Sequence, residues 1–178
     1  DMQQSYDVYF ASSNRNKFLE AQKILNEFKI NVGFLKYTIQ EIKSNSLEKI
    51  ASQKIDDAFN QCKKPVIIED DGLFIDSLKG FPGPYSSYVF ETIGNKGIIE
   101  LLNKKREASF HSIIAYCDSS TKKFFKGKVD GKISKTIKGK GWGYDPIFIP
   151  TGKTQTFAEI TDKNKISHRF KALKKFAN

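Results

Sequence analysis

Three consecutive acidic residues follow a short apolar run near the middle of the sequence. Glu69, Asp70 and Asp71 come directly after the apolar residues 66–68, and Gly72 follows them. The run is typical of a buried strand, whose end would hold the acids in place while Gly72 lets the chain turn. Neighbouring half-buried carboxylates bind protons or require a cation, and Mg²⁺ suits a few carboxylates combined with waters and phosphates. An acidic turn that ends a strand is the simpler interpretation of this cluster taken alone.

A polar turn near the start of the sequence has the composition of an anion site. Ser12, Asn14 and Lys17 lie between a predicted strand and a predicted helix, where free backbone N–H groups and a lysine can bind phosphate. The alternative is a plain helix cap formed by Asn16. A second lysine, Lys54, falls on the apolar stripe of a long predicted helix. It therefore needs an anionic partner, unless its ammonium group reaches water.

Two aromatic residues and an acid in a glycine-rich loop have the composition of a base-binding site. Trp142 and Tyr144 flank Gly143, and Asp145 follows them. The rings could stack on a planar base while the carboxylate accepts hydrogen bonds from its N–H groups. The alternative is that both rings close the edge of the hydrophobic core.

A basic and polar segment near the end of the sequence could recognise the same base. Lys163 is followed by Ser167, His168 and Arg169. An arginine fork and a hydroxyl can bind a keto oxygen and ring nitrogens, and a lysine can reach phosphate. Taken alone, a histidine beside an arginine is more typical of the surface at the start of a helix.

Hydrophobic periodicity predicts the elements that position these residues. Strands are predicted at 8–11, 32–37, 66–69, 109–117, 124–133 and 147–149, with an extended segment at 73–78. Helices are predicted at 18–28, 46–62, 85–93, 97–105 and around 172–176, with Ser46 as a cap. Strand–helix–strand units precede a strand–strand pair, which indicates an α/β fold with a mixed sheet.

Length and cysteine usage favour one domain in a reducing compartment. The 178 residues are expected to form a single domain, with residues 1–5 as a polar leader. Cys62 and Cys117 have neither paired nor metal-ligand spacing, and no apolar run approaches a membrane span. We therefore expect a cytoplasmic protein.

The net charge of +10 is consistent with nucleic acid, an anionic membrane surface or a polyphosphate substrate. The basic residues are spread along the sequence, with a small cluster at Lys171, Lys174 and Lys175. No long basic tail of the kind that favours nonspecific nucleic-acid binding is present in the sequence. Charge alone does not choose among these partners.

Six short motifs, taken in order, resemble the inosine triphosphate pyrophosphatase family, from Tyr9 to Phe176. They are SxNxxK at 12–17, EDxGL at 69–73, GxPGxYS at 80–86, GxGYDPIF at 141–148, TFAE at 156–159 and KxxxSHR at 163–169. The resemblance implies an elongated mixed sheet flanked by helices, two lobes with a central cleft for the nucleotide, and a homodimer. It also implies cleavage of non-standard purine nucleoside triphosphates (ITP, dITP, XTP) between the α and β phosphates, with Mg²⁺ or, in its place, Mn²⁺.

The same resemblance assigns roles to individual residues. Asp70 and Glu69 would be catalytic and would bind the metal, with Glu41 as an extra metal ligand. Asp70 would be the general base that takes the proton of the attacking water. The triphosphate would be bound by Ser12, Asn14, Lys17 and Lys54, with help from Lys163. The base would be bound by Trp142, Tyr144, Asp145, Ser167, His168 and Arg169.

Three positions depart from the family pattern, and two other functions stay open. Asp71 stands where relatives usually carry serine or threonine, Ser13 replaces a usual glycine, and the spacing around Glu41 fits poorly. A pyrophosphatase for pyrimidine or modified nucleotides would share the phosphate chemistry without the segment 167–169. A basic nucleic-acid-binding module is the alternative from another class, and it would not depend on the acids at 69–71. The acids speak against it, because they repel phosphate unless a metal intervenes, so no stable nucleic-acid partner and no membrane partner are expected.

Overall fold

The computed structural model describes residues 5–37 and 42–178 and contains a six-stranded sheet with helices on both faces. The strands are β1 (Val8–Ser12), β2 (Val32–Lys36), β3 (Val66–Ile75), β4 (Glu107–Cys117), β5 (Lys122–Ile133) and β6 (Phe148–Pro150). The helices are α1 (Arg15–Glu27), α2 (Leu47–Cys62), α3 (Ser86–Thr92), α4 (Gly94–Leu101), α5 (Lys163–Ile166) and α6 (His168–Ala177). Short 3₁₀ turns occur at Asp76–Leu78, Gly83–Tyr85 and Asp145–Ile147.

The sheet is mixed, as the sequence predicts. Its strand order is β2-β1-β3-β4-β5-β6. β1 pairs in parallel with β2 and β3, because helices connect these strands, whereas the β3–β4, β4–β5 and β5–β6 pairs are antiparallel. The predicted α/β class with a mixed sheet flanked by helices is therefore confirmed.

Alternation along the central strands divides the core between the two faces of the sheet. Ile67 and Ile114 pack against the apolar sides of α1 and α6. Ile68 and Ile113 point to the other face and pack against α2. Because successive side chains of a strand point to opposite faces, the acids that continue β3 are also distributed between the two faces.

Gly72 does not turn the chain, and that prediction is wrong. β3 continues through it to Ile75, so Glu69 to Asp71 lie in the middle of a long strand and not at its tip. Gly72 pairs with His111 in the β3–β4 ladder. A Cβ atom at this position would lie 2.5 Å from the carbonyl oxygen of Gly83. The glycine therefore allows a close approach of backbone rather than a turn.

Several helix boundaries also differ from the prediction, among them the starts of α1 at Arg15 and of α4 at Gly94. α4 ends at Leu101, not at residue 105, because Leu102 adopts an extended conformation and its side chain is buried. α6 begins at His168, four residues earlier than predicted, because the Ser167 hydroxyl accepts the backbone N–H of Phe170 and caps the helix. The predicted cap at Ser46 is confirmed.

Within residues 5–37 and 42–178, no helix combines the length and apolar composition needed to span a membrane. Cys62 and Cys117 are both free thiols.

Candidate active site

A cavity of about 620 Å³ brings together most of the residues that the sequence analysis singled out. It lies where the turn between β1 and α1, the middle of β3, the start of α6 and the glycine-rich loop meet. Twelve of the predicted residues line it: Ser12, Asn14, Lys17, Lys54, Glu69, Asp70, Trp142, Tyr144, Asp145, Lys163, His168 and Arg169. Ser167 is absent from the lining, and Glu41 lies outside the described residues.

The turn after β1 is organised by its own side chains. The Ser12 hydroxyl accepts the backbone N–H of Asn14, and the Asn14 side chain accepts that of Lys17. Asn14, and not Asn16, is therefore the cap of α1. The turn places the start of a helix and the Lys17 ammonium group at the cavity, which is the arrangement that binds phosphate in many proteins.

Two lysines approach the acids of β3 from opposite faces of the sheet. Lys17 on α1 lies 2.5 Å from Asp71 and 3.7 Å from Glu69. Lys54 on α2 is buried, as its place on the apolar stripe predicts, and its ammonium nitrogen lies 3.8 Å from Asp70 Oδ1. Burial would lower the pKa of Lys17, but the charges of Asp71 and Glu69 outweigh it and raise that pKa. Lys17 is thus a charged group held inside the cavity, and the Lys54 side chain lines the same cavity from the other face of the sheet.

Arg169 is the most strongly paired cation of the site, with 1% of its surface exposed. Its Nε and Nη2 atoms donate to the two carboxylate oxygens of Glu69, each at 2.8 Å. Nη2 also lies 3.2 Å from Asp71, and Nη1 lies 3.3 Å from Glu20. Burial would lower the pKa of Arg169, but these carboxylates outweigh it and raise that pKa. The fork is occupied by protein carboxylates and not directed at the open cavity.

Asp71 connects the two ends of this network. It contacts Lys17 and Arg169, and His168 Nε2 lies 3.7 Å from it, too far for a strong hydrogen bond. Burial would raise the pKa of Asp71, but Lys17 and Arg169 hold it well below its usual value. His168 stacks on Phe110 with ring centroids 4.5 Å apart, and burial lowers its pKa, so its ring is neutral at pH 7. Asp71 is therefore a permanent anion of the site.

Glu20 completes the site, although the sequence analysis did not single it out. It accepts the indole N–H of Trp142 at 2.8 Å and lies 2.8 Å from the ammonium group of Lys163. Burial would raise its pKa, but Arg169 and Lys163 lower it. The sequence could have indicated Glu20 through helical spacing, because it lies three residues after Lys17 and therefore on the same face of α1.

Trp142 and Tyr144 differ in their surroundings. Trp142 is partly exposed, and the Lys163 ammonium group and the Arg169 guanidinium lie 5.1 and 5.3 Å from its ring centre. Tyr144 is buried and donates its hydroxyl to the carbonyl of Ser86 at 2.6 Å. Trp142 therefore lines the cavity with a partly exposed ring, whereas Tyr144 also packs at the edge of the core.

Asp145 and Lys163 form a pair beside this indole ring. Their charged groups lie 2.5 Å apart. Burial raises the pKa of Asp145 in spite of this lysine. Lys163 was predicted to help bind phosphate, but it lies between Glu20 and Asp145, at the aromatic end of the cavity. Ser167 was predicted to bind the base, and the structure uses its hydroxyl as a helix cap.

Asp70 and Glu69 are the predicted metal ligands that the structure describes. Among residues 5–37 and 42–178, no group of three or more histidine, cysteine, aspartate or glutamate side chains has the arrangement of a metal site. Mg²⁺ commonly uses only one or two carboxylates and takes its other ligands from water and phosphate. Asp70 supplies a hard oxygen donor at the cavity. Both oxygens of Glu69 accept hydrogen bonds from Arg169, and one of them also accepts from the Ser112 hydroxyl at 2.7 Å.

The chain belongs to the Ham1 family, which matches residues 8–178. It is 47% identical over 176 residues to the dITP/XTP pyrophosphatase of Methanopyrus kandleri, covering 96% of this chain and 94% of that protein. It is 45% identical to the dITP/XTP pyrophosphatase of Thermococcus kodakarensis, covering 95% of this chain and 94% of that protein. The resemblance to the inosine triphosphate pyrophosphatase family is thereby confirmed.

Solved structures show the same fold. A HAM1 protein from Coxiella burnetii superposes with a TM-score of 0.81 at 29% identity, over 96% of this chain and 95% of that one. The nucleoside-triphosphatase, or dITP/XTP pyrophosphatase, of Mycobacterium abscessus superposes with a TM-score of 0.72 at 26% identity. The superposition covers 95% of this chain and 96% of that one. Both similarities extend over nearly the whole chain.

Proposed function

We propose that this protein hydrolyses non-standard purine nucleoside triphosphates (dITP, ITP and XTP) to the monophosphate and pyrophosphate in a Mg²⁺-dependent reaction. The supporting observation is that Lys17, Asp70 and Trp142 line one cavity, which combines cations and acids with an aromatic ring. Water adds to the phosphorus, the bridging P–O bond between the α and β phosphates breaks, and pyrophosphate leaves. The names of the two archaeal relatives support the choice of substrate.

At the phosphate end, Lys17 and Lys54 are proposed to neutralise the triphosphate. Asp70 and Glu69 would bind the metal, with Glu41 as an added ligand, and the metal would offset charge on phosphate oxygens when bound. Asp70 is proposed to take the proton of the attacking water. Asp70 is 7% exposed, and the cationic side chain of Lys54 lies 3.8 Å from its Oδ1.

At the base end, Trp142 is proposed to stack on the purine while Asp145 accepts an N–H of its ring. Lys163 lies against both residues, so we assign it to the base end of the nucleotide. A hydrogen-bond donor at this end of the cavity would pair with the oxygen at position six of hypoxanthine or xanthine. Adenine carries an amino group at that position. The donor of the protein would then stay unpaired, at a cost of about 1–3 kcal/mol in binding free energy.

A pyrophosphate-release assay over dITP, ITP, XTP, GTP, ATP and dTTP tests this proposal. We expect kcat/KM for dITP and XTP to exceed that for ATP by about tenfold to 100-fold for each donor left unpaired. Chelation of the metal should abolish release, and Mg²⁺ or Mn²⁺ should restore it. Preference for dTTP would instead support the pyrimidine-nucleotide alternative, and release of single phosphate would contradict cleavage between the α and β phosphates.

We also propose a homodimer, on the basis of the family resemblance. Exposed apolar side chains on and beside α3 offer a surface for it. They are Phe81, Tyr85, Tyr88, Phe90 and Ile93, of which Tyr88 is the most exposed at 68%. Light scattering after gel filtration should give twice the chain mass of 20.3 kDa, and Tyr88→Glu should reduce the fraction of dimer. The mass of a single chain at micromolar concentration would contradict the proposal.

We also propose that the chain forms a single domain and that the protein is cytoplasmic. One sheet that extends from β1 to β6 supports the first. A substrate drawn from the nucleotide pool and free thiols at Cys62 and Cys117 support the second. A single cooperative unfolding transition that is the same by two spectroscopic probes would support one domain.

A further inference from the structure

One face of β5 is uncovered and basic. Residues that alternate with Gly127, Val129 and Ile133 point away from α6 and are exposed. These exposed residues are Lys122, Phe124, Lys126, Lys128, Asp130 and Lys132. α2 lies beside this face without covering it, and two of its acids form ion pairs with lysines of β5. Lys126 pairs with Glu48 at 2.7 Å.

The small lysine cluster of α6 extends this basic face along the outer edge of β5. Lys175 donates to the carbonyl of Lys126 at 2.7 Å, and Lys171 donates to the carbonyl of Lys128 at 3.1 Å. Six lysines (122, 126, 128, 132, 171 and 175) thus lie on this face or along its edge. Three of them pair with carboxylates: Lys122 with Asp56, Lys126 with Glu48 and Lys128 with Asp130. Exposed ion pairs contribute little, so an incoming phosphate can replace these carboxylates.

A groove of about 520 Å³ adjoins the lysines and carries two rings. Phe74 and His111 line the groove, with ring centroids 4.3 Å apart. Lys126, Lys128 and Lys175 line it as well. Burial and the charge of Lys128 both lower the pKa of His111, so its ring is neutral at pH 7. None of the residues that line this groove lines the active-site cavity.

We infer that the exposed face of β5 and the adjoining groove, here called the β5 surface, bind single-stranded nucleic acid. Four of the six outward-facing residues from 122 to 132 are lysines, and this stretch extends over about 34 Å of strand, which is long enough for several nucleotides. Lysines that follow a phosphate backbone beside aromatic rings that stack on bases are the usual components of such a surface. The active site uses few of the basic residues that give the net charge of +10, and the β5 surface accounts for others.

The aromatic rings favour this partner over other polyanions. Phe124 is 39% exposed in the line of lysines, and the Lys122 ammonium group lies 5.7 Å from its ring centre. An acidic peptide or an anionic membrane would be attracted by the lysines alone. A base is the ligand that also uses the faces of Phe124, Phe74 and His111.

Fluorescence anisotropy of a labelled 12-nucleotide single strand, titrated with the full chain, tests the inference. With four phosphate contacts, the affinity should fall about 50-fold between 50 and 200 mM salt. Lys126→Glu/Lys128→Glu should weaken binding at least tenfold and reduce the salt slope. Phe124→Ala should weaken binding about tenfold through lost stacking. Lys23→Glu/Lys104→Glu, which changes the net charge equally at exposed lysines elsewhere, should bind more tightly than the first variant.

Controls separate this inference from the proposed function. All variants should release pyrophosphate from dITP at the wild-type rate, and excess dITP should not displace the oligonucleotide. Displacement by dITP would place the oligonucleotide in the active site and overturn the inference. Salt-independent binding, equal losses in both double variants, or equally tight binding to polyglutamate or phosphatidylserine vesicles would overturn it as well.

Discussion

Asp70→Asn is expected to reduce the turnover of dITP by about 100-fold or more while nucleotide binding is retained. The amide has nearly the shape of the carboxylate, so the packing around β3 should be unchanged. It cannot accept a proton from water, and it binds a metal less well than the carboxylate. kcat should be measured by pyrophosphate release at saturating Mg²⁺, and the dissociation constant of dITP by calorimetry.

Asp76→Asn is the matched control for this variant. Asp76 is an exposed aspartate six residues further along the chain, in the 3₁₀ turn that follows β3. Its replacement should leave both kcat and the dissociation constant near the wild-type values. Near-normal turnover of Asp70→Asn at saturating Mg²⁺ would remove Asp70 from the role of general base. Lost nucleotide binding without a specific loss of kcat would instead assign it to binding.

Arg169→Ala is expected to reduce the free energy of unfolding by about 3–5 kcal/mol. The variant leaves Glu69 without its two-pronged partner and leaves Glu20 and Asp71 with one cation fewer. A buried carboxylate that loses its cationic partner strongly destabilises the folded state, because water cannot take the place of that partner. Urea unfolding at pH 7 measures this change. Arg169→Lys, which keeps the charge but not the fork, should recover part of the loss.

Arg15→Ala is the control for the loss of an arginine. Arg15 is exposed at the start of α1, and its guanidinium lies 5.9 Å from the ring centre of Phe34. Its replacement should change the free energy of unfolding by less than about 1 kcal/mol. An Arg169→Ala variant as stable as this control would show that the ion network around Glu69 contributes nothing to folding.

The same Arg169→Ala variant tests the choice of base. The ratio of kcat/KM for ITP to that for ATP does not depend on the fraction of folded protein, so it separates specificity from stability. We expect the ratio to fall, because Arg169 lies against the Trp142 ring and holds Glu20, which in turn binds Lys163. An unchanged ratio would contradict a role of Arg169 in base selection.

Local signals predicted most of the elements, and most of the site residues predicted from them line the cavity. The helix cap at Ser46 and the inward ammonium group of Lys54 follow from spacing within one helix. The alternation of β4 and β5 likewise predicts an antiparallel pair, as the structure shows. These features depend on neighbours in the sequence, so they can be derived from it.

Contacts between distant segments were not predictable in this way. The continuation of β3 through Gly72 depends on the backbone of Gly83 and on pairing with β4. Arg169 was expected to recognise a base, but its fork is occupied by Glu69, 100 residues away in the sequence. Glu20 has no motif of its own, because its role depends on Trp142 and Lys163 being brought to it by the fold.

The lysine side chains that reach β5 from α6 also affect how sheets from different molecules can meet. β6 pairs only with the last residues of β5, so the carbonyl groups of Lys126 and Lys128 would otherwise be open to a strand from another molecule. The ammonium groups of Lys171 and Lys175 occupy these acceptors and place positive charge along the border of the sheet. This arrangement opposes intermolecular β-sheet growth, and so fibril formation, even though a long edge strand is present.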